Sequence, residues 1–195
     1  SNYYWVGGSG NWSNYSSHWA TSSGGNIFHT TTPSSNDNVI FDSNSFSANS
    51  QTVTLNADNE SVGNMTWLGV TNTPTFNMSS KQLMVHGSIT YDPIMTINSP
   101  GTLTFTSSNT SFLISGGHRI GNVYIDKNGG VFNQLDNFSS NGYTFEVRAG
   151  SIYNSNDYDL YFNTIRFKGS PTGSTTTTIN TGTSEITVMN GDLSI

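Results

Sequence analysis

Gly101-Thr102-Leu103-Thr104-Phe105 is followed, twenty residues on, by Gly121-Asn122-Val123-Tyr124-Ile125. Each unit opens on glycine and then alternates polar with apolar side chains, the period-two pattern of a strand with one buried face. Recurrence at a fixed interval is the mark of a repeat architecture. Gly63-Asn64-Met65 and Gly121-Asn122-Val123 also open strands, 58 residues apart. The strands that follow them, Leu83-Met84-Val85-His86-Gly87-Ser88-Ile89 and Phe145-Glu146-Val147-Arg148-Ala149-Gly150-Ser151-Ile152, are offset by 62 to 63. Both offsets equal roughly three coils of about 20 residues, the spacing of short strands stacked along one axis.

The expected fold is therefore all-β: a parallel β-helix (β-solenoid) of coils about 20 residues long. Its apolar side chains stack on those of neighbouring coils, and Asn, Ser and Gly take the corners, where positive φ or side-chain bonds to free backbone groups are needed. The competing architecture is an antiparallel β-sandwich, for which Asn128-Gly129, Asn141-Gly142 and Asn190-Gly191 are hairpin signals. No window supports a useful helix, because Gly, Asn or Pro interrupts a chain rich in β-branched and aromatic residues. Strands are expected over 38–42, 52–56, 64–68, 83–85, 94–98, 102–106, 112–115, 123–126, 144–148, 159–163, 165–168 and 185–189.

Residues 1–37 read differently. Trp5, Trp12 and Trp19 recur every seven positions among Tyr3, Tyr4, Tyr15 and His18, but Gly7-Gly8-Ser9-Gly10 excludes a coiled coil. An open solenoid end exposes core and unpaired strand edges, so this segment is expected to be an aromatic cap. Residues 38–195 are expected to be the coils. The chain stops within an apolar alternation ending Leu193-Ser194-Ile195, and the coils are expected to continue in a larger parent chain.

Charged residues make up 9% of the chain, against about 25% in an ordinary soluble domain. Ser, Thr and Asn together fill 81 of 195 positions, so uncharged polar groups must cover the surface. Such a surface has little electrostatics for salt to screen, which suits an external milieu. Aromatics at 12% supply apolar area that a disordered chain lacks. With a net charge of −6 and six basic residues spread along the sequence, nucleic acid and anionic membranes are poor partners. There is no cysteine, hence no disulfide and no thiolate metal site. No apolar run of about 18 residues exists, so membrane insertion as a helix is not expected.

Candidate chemistry is sparse. Trp5, Trp12 and Trp19 are candidate ligand-binding residues, since a flat ring can lie against the apolar face of a pyranose; the favoured reading is that they are buried, because a cap with few aliphatics needs the area such rings supply. A glycosidase needs two carboxylates about 5 to 9.5 Å apart, and coil spacing could bring Asp136 to Asp157 or Asp126 to Glu146. Twelve acids in 195 residues produce such pairs by chance, so no enzymatic activity is expected. Asn154, Asn156, Asp157 and Asp159 alternate oxygen ligands as calcium loops do, without the glycine and distal glutamate of an EF-hand. Calcium is the one cofactor this admits, with Asp37 and Asp42 as a second candidate pair. His18, His29, His86 and His118 lack zinc spacing. No Gly-x-Ser-x-Gly elbow occurs, and Gly7-Gly8-Ser9-Gly10 is no phosphate loop. Seven Asn-x-Ser/Thr sequons match the number expected by chance from this composition.

The stretch Tyr4-Trp5-Val6-Gly7-Gly8-Ser9-Gly10-Asn11-Trp12-Ser13, with His18-Trp19-Ala20, Ser22-Ser23-Gly24-Gly25 and Pro33-Ser34-Ser35-Asn36-Asp37-Asn38-Val39-Ile40-Phe41-Asp42, resembles a segment of very large secreted surface proteins of gliding bacteria, the type IX-exported, repeat-rich adhesins. The pattern covers about the first 46 residues. It implies display outside the cell and attachment to surfaces or polysaccharide, with no catalytic residues to carry over. The expected function is a structural and adhesive module. A carbohydrate-active β-helix (lyase, glycosidase or its binding appendage) and a phage tail-fibre segment are the alternatives.

Overall fold

The computed structural model describes residues 1–173 and 175–195. They form a β-solenoid of about seven turns. One sheet of nine strands runs, in spatial order, from Thr178–Asn180 through Ile152–Asn154, Val131–Gln134, Thr110–Ile114, Ile89–Thr90, Met65–Trp67, Asn38–Phe41 and Asn2–Trp5 to Trp19–Ala20. A second sheet has four strands, Gly10–Asn11, Thr52–Thr54, Thr75–Asn77 and Thr96–Asn98. The third holds Glu60–Val62, Gln82–Val85, Thr102–Phe105, Asn122–Ile125, Phe138–Val147, Leu160–Phe167 and Ile186–Val188, with Leu193–Ser194 also pairing against Leu160–Phe167. Among these strands every pairing is parallel except that of Asn2–Trp5 with Trp19–Ala20. Parallel neighbours rule out the sandwich.

The glycine dipeptides that imitate hairpins make corners and a bulge instead. Asn141-Gly142 sits inside Phe138–Val147, at the register shift between Ser140 and Thr144, with Gly142 at φ 87°. Asn190-Gly191 joins two strands that both run parallel to Leu160–Phe167. Gly129 and Gly142 are left-handed, a conformation that serves a solenoid corner or bulge as well as a hairpin, so those dipeptides carried no topological information.

The twenty-residue repeat is real where the third sheet is most regular. Leu103 pairs with Leu83 on one side and Val123 on the other, and Phe145 lies on Val123. The 62-residue offset between Leu83 and Phe145 is thus three coils. The 58-residue offset is not a repeat: Met65 belongs to the first sheet and Val123 to the third. Glycine opens strands at both kinds of corner, which makes unlike positions look alike. Coils elsewhere are longer, 26 residues from Val39 to Met65 and again from Leu160 to Ile186.

Inward side chains stack coil on coil. Leu83, Leu103, Val123, Phe145 and Ile165 form one buried column, and Val39, Met65, Ile89 and Leu113 another. Burying each such side chain fully is worth about 1.5–3 kcal/mol. The interior also contains polar groups, of which Lys127 and Gln134 are well partnered while the Tyr91 hydroxyl and the Trp12 and Trp67 indole N–H groups have no hydrogen-bond partner among the described residues. Lys127, fully buried, donates from Nζ to Thr106 O at 2.8 Å and Ser111 Oγ at 2.9 Å. Gln134 donates to the carbonyls of Asp136 (2.9 Å) and Asp159 (2.7 Å) and accepts from the Tyr153 hydroxyl.

At the N-terminal end the aromatic segment begins as a coil and then turns back. Asn2–Trp5 and Gly10–Asn11 continue the first and second sheets, after which the one-turn helix Tyr15–His18 and the antiparallel Trp19–Ala20 fold across the end. Trp5 and Trp12 both pack edge-on to Trp19 at 4.9 Å, and Phe41 stacks on Trp67 at 3.6 Å. Glycine at position 10 is required by this packing: a Cβ there would lie 2.1 Å from His18 Nε2. Trp19→Ala is expected to lower unfolding stability by about 3–5 kcal/mol, whereas Tyr158→Ala at a half-exposed ring should stay within about 0.5 kcal/mol; urea titration of both variants checks this.

Candidate functional site

Trp5, Trp12 and Trp19 are 0% exposed, which corrects the sugar-platform reading. A ring without an exposed face cannot stack on a ligand in this conformation; these three are the core of the cap. Two of them are also tied by their indole N–H groups, Trp5 to Gly8 O at 2.7 Å and Trp19 to Trp12 O at 2.8 Å.

The candidate calcium oxygens are engaged in holding coils together. Asn154 Oδ1 accepts from Asn180 Nδ2 at 2.7 Å, Asp157 Oδ1 from Thr183 N at 2.8 Å, and Asp159 Oδ1 from Glu185 N at 2.9 Å, while Asn156 donates to Gln134 O at 3.1 Å. Asp37 accepts from Ser34 N and from the Ser1 ammonium, and Asp42 from Asn44 N. Among the described residues no three His, Asp or Glu side chains converge as a metal site. Three histidines reach backbone carbonyls: His18 that of Val6, His29 that of Asn2 and His118 that of Asp92.

Of the two carboxylate pairs, Asp136 caps a corner by accepting from Ser115 N at 2.8 Å and Gly116 N at 2.9 Å. Asp126 and Glu146 do meet, through Arg148, which lies 3.3 Å from the first and 2.7 Å from the second. Lys168 at 3.0 Å and Arg166 at 3.7 Å also face Glu146. Burial of Glu146 acts to raise its pKa, but the hydrogen bonds and charges of Arg148 and Lys168 outweigh it and hold the carboxyl below its ordinary range. A general acid needs the opposite shift. This constellation is an ion-pair ladder.

The ladder exposes a pattern that linear spacing hides. All six basic residues lie in, or within three residues of, strands of the third sheet. The first sheet presents a different chemistry. Its register aligns Asn2, Asn38, Asn64, Ser88, Phe112, Asn133, Asn154 and Asn180 in one outward column. Asn38 donates to Asn2 at 3.0 Å, Asn64 to Asn38 at 2.8 Å, Asn154 to Asn133 at 3.1 Å and Asn180 to Asn154. Such amide ladders are known from in-register parallel stacks. Midway, Ser88 and Phe112 replace asparagine, and the backbone takes over the link: Ser88 N donates to Asn64 Oδ1 at 2.8 Å, and Phe112 N to Ser88 Oγ at 3.0 Å.

A neighbouring column, Ile40, Thr66 and Thr90, completes a groove of about 490 Å³ with Asn2, Asn38, Asn64, Ser88 and Phe112. An adjoining hollow of about 300 Å³ at the sheet's corner shares Asn38 and Asn64 and includes His86. None of the groove residues carries a charge. The sequence reading missed this site because its parts are 36, 26, 24 and 24 residues apart, intervals with no common period. The available signal was an asparagine next to an inward apolar residue, before it at Asn38-Val39 and Asn64-Met65 and after it at Phe132-Asn133, Tyr153-Asn154 and Ile179-Asn180.

No family model matches the chain, and no curated protein or solved structure matches it. Among the described residues no helix is long and apolar enough to cross a membrane.

Two titrations are expected. Glu146 has a folded pKa below its ordinary value of 4.5, so its contribution is complete above that pH and is lost as pH falls through the folded value; Glu146→Gln should flatten the acid limb of a stability–pH curve. Lys127 is pushed down to about 8 from 10.5 by burial. The unfolded chain then binds the extra proton between those values, and stability should rise with pH across that window in the wild type but not in Lys127→Met.

Proposed function

We propose that this chain is an extracellular, non-catalytic module of a cell-surface adhesin, whose stacked coils form a stiff stalk and whose outer face contacts polysaccharide. The observation that carries the reading is the uncharged groove on the first sheet. Its walls are side chains set at the coil repeat on a backbone fixed by parallel pairing, so the surface is ordered before any ligand arrives, which reduces the entropy cost of binding. The likeness of residues 4–42 to the adhesins of gliding bacteria supports the same reading. The depressed pKa of Glu146 gives no support to a glycosidase.

The test is retention of the purified protein on insoluble polysaccharides, with the supernatant assayed for released reducing ends. Retention without release is expected, and raising NaCl to about 1 M should leave it unchanged because no ion pair is involved. Release of reducing ends would make the protein an enzyme. A trimer in sedimentation equilibrium would favour a tail-fibre segment.

A further inference from the structure

We propose that the first-sheet groove is the binding site for an uncharged, pyranose-based polysaccharide lying along the solenoid axis, with Phe112 as its stacking ring. The inference rests on the adhesive reading above and adds to it a surface, a ligand class and a central residue.

Phe112 stands in a column where six of the other seven positions belong to asparagines, linked by amide hydrogen bonds as Asn2, Asn38 and Asn64 and as Asn133, Asn154 and Asn180. It is half-buried and faces outward, while the next residue, Leu113, is fully buried in the core. The ring buries most of its surface yet still lines the groove, and it breaks an amide ladder that resumes at Asn133. Its neighbour one coil below is Ser88, whose short side chain is tied to the Phe112 backbone and leaves the ring a wall of the groove. An outward ring over a gap in a polar column suits the apolar face of a sugar.

The rest of the lining supplies what a sugar's rim needs. The ladder occupies one N–H of Asn38 and one of Asn64. Each amide has a second donor and a second acceptor position for hydroxyl groups. Ile40 and the methyls of Thr66 and Thr90 form an apolar floor. From Asn2 to Phe112 the column spans five rungs, on the order of 19 Å at the spacing of hydrogen-bonded strands, room for several sugar units. The ligand should be uncharged, because a uronate or sulfate would lose water without gaining a cation, and the basic residues are on or beside the third sheet. The groove crosses paired strands rather than running along an edge, so it offers no backbone for an added strand.

The test is calorimetric titration of the intact chain with soluble neutral polysaccharides (β-glucan, mannan, dextran) and with alginate as the anionic probe. Wild type should bind at least one neutral polymer and bind alginate more weakly. Phe112→Ala should weaken binding about tenfold or more under conditions where its circular dichroism shows it folded, Phe112→Trp should retain binding, and Asn64→Ala should weaken it. Tyr158→Ala, a half-exposed ring outside the groove, should bind as wild type. Wild-type affinity in both Phe112→Ala and Asn64→Ala overturns the site and leaves the adhesive reading intact. Preference for alginate overturns the ligand class. Self-association that Phe112→Ala abolishes makes a second copy the occupant and overturns the proposal. Binding to no polysaccharide overturns this inference together with the polysaccharide-binding reading on which it rests.

Discussion

Backbone hydrogen bonds between successive coils impose the constraint on which everything else depends. Thr102 N donates to Lys81 O at 3.0 Å and Asn122 N to Gly101 O at 2.9 Å, and bonds of this kind repeat along three sheets. Once they set the register, each residue faces a counterpart one coil away, and like must tolerate like. Inside, that means apolar columns such as Leu83, Leu103 and Val123. Outside, asparagine is the residue that bonds to its own kind, and stacked like charges would repel. Where charge does occur, signs alternate between coils: Arg148 lies above Asp126, and Arg166 above Glu146. Low charge content is in this light a requirement of the stacking.

Strands with two inward apolar residues in clean alternation were legible in the sequence: Asn38–Phe41, Thr102–Phe105 and Asn122–Ile125 are all expected from period two. Thr75–Asn77 and Thr178–Asn180 were not, because each centres on one apolar residue, Phe76 or Ile179, flanked by polar ones, and Ile152–Asn154 has a single inward residue, Tyr153. A three-residue strand in a solenoid is made by its neighbours on either side, and that support is invisible in a local window. The repeat length was recoverable only where corners are tight. Insertions at corners alter the interval without altering the rung: ten residues separate Phe41 from Thr52 where seven separate Trp67 from Thr75 in the next coil. The cap tryptophans were recognisable as unusual; their complete burial needed coordinates.

The same register separates the surface into chemically distinct faces. Basic side chains scattered from Lys81 to Lys168 collect beside one sheet, while the amide column and its groove occupy another. A linear reading sees six isolated cations and 25 asparagines; the winding sorts them. Ionic contacts at the Glu146 ladder lock coils together, whereas the neutral face leaves its second donors and acceptors directed at solvent. Ionic cross-links and uncharged amides are thereby sorted onto different sheets of the solenoid.

The reversed strand Trp19–Ala20 has a consequence for assembly. Every other pairing in the first sheet invites a further strand running the same way, which is the geometry by which like chains add to one another indefinitely. Here the terminal strand points in the opposite direction, and its outer edge is occupied: His29 N bonds to Trp19 O at 2.9 Å and Thr21 N to Ile27 O at 2.8 Å. A second molecule arriving at this side of the first sheet finds no free template. The reversed strand and the segment 27–29 thus close this edge of the first sheet to a like chain, the device by which a sheet of self-similar layers is stopped rather than extended.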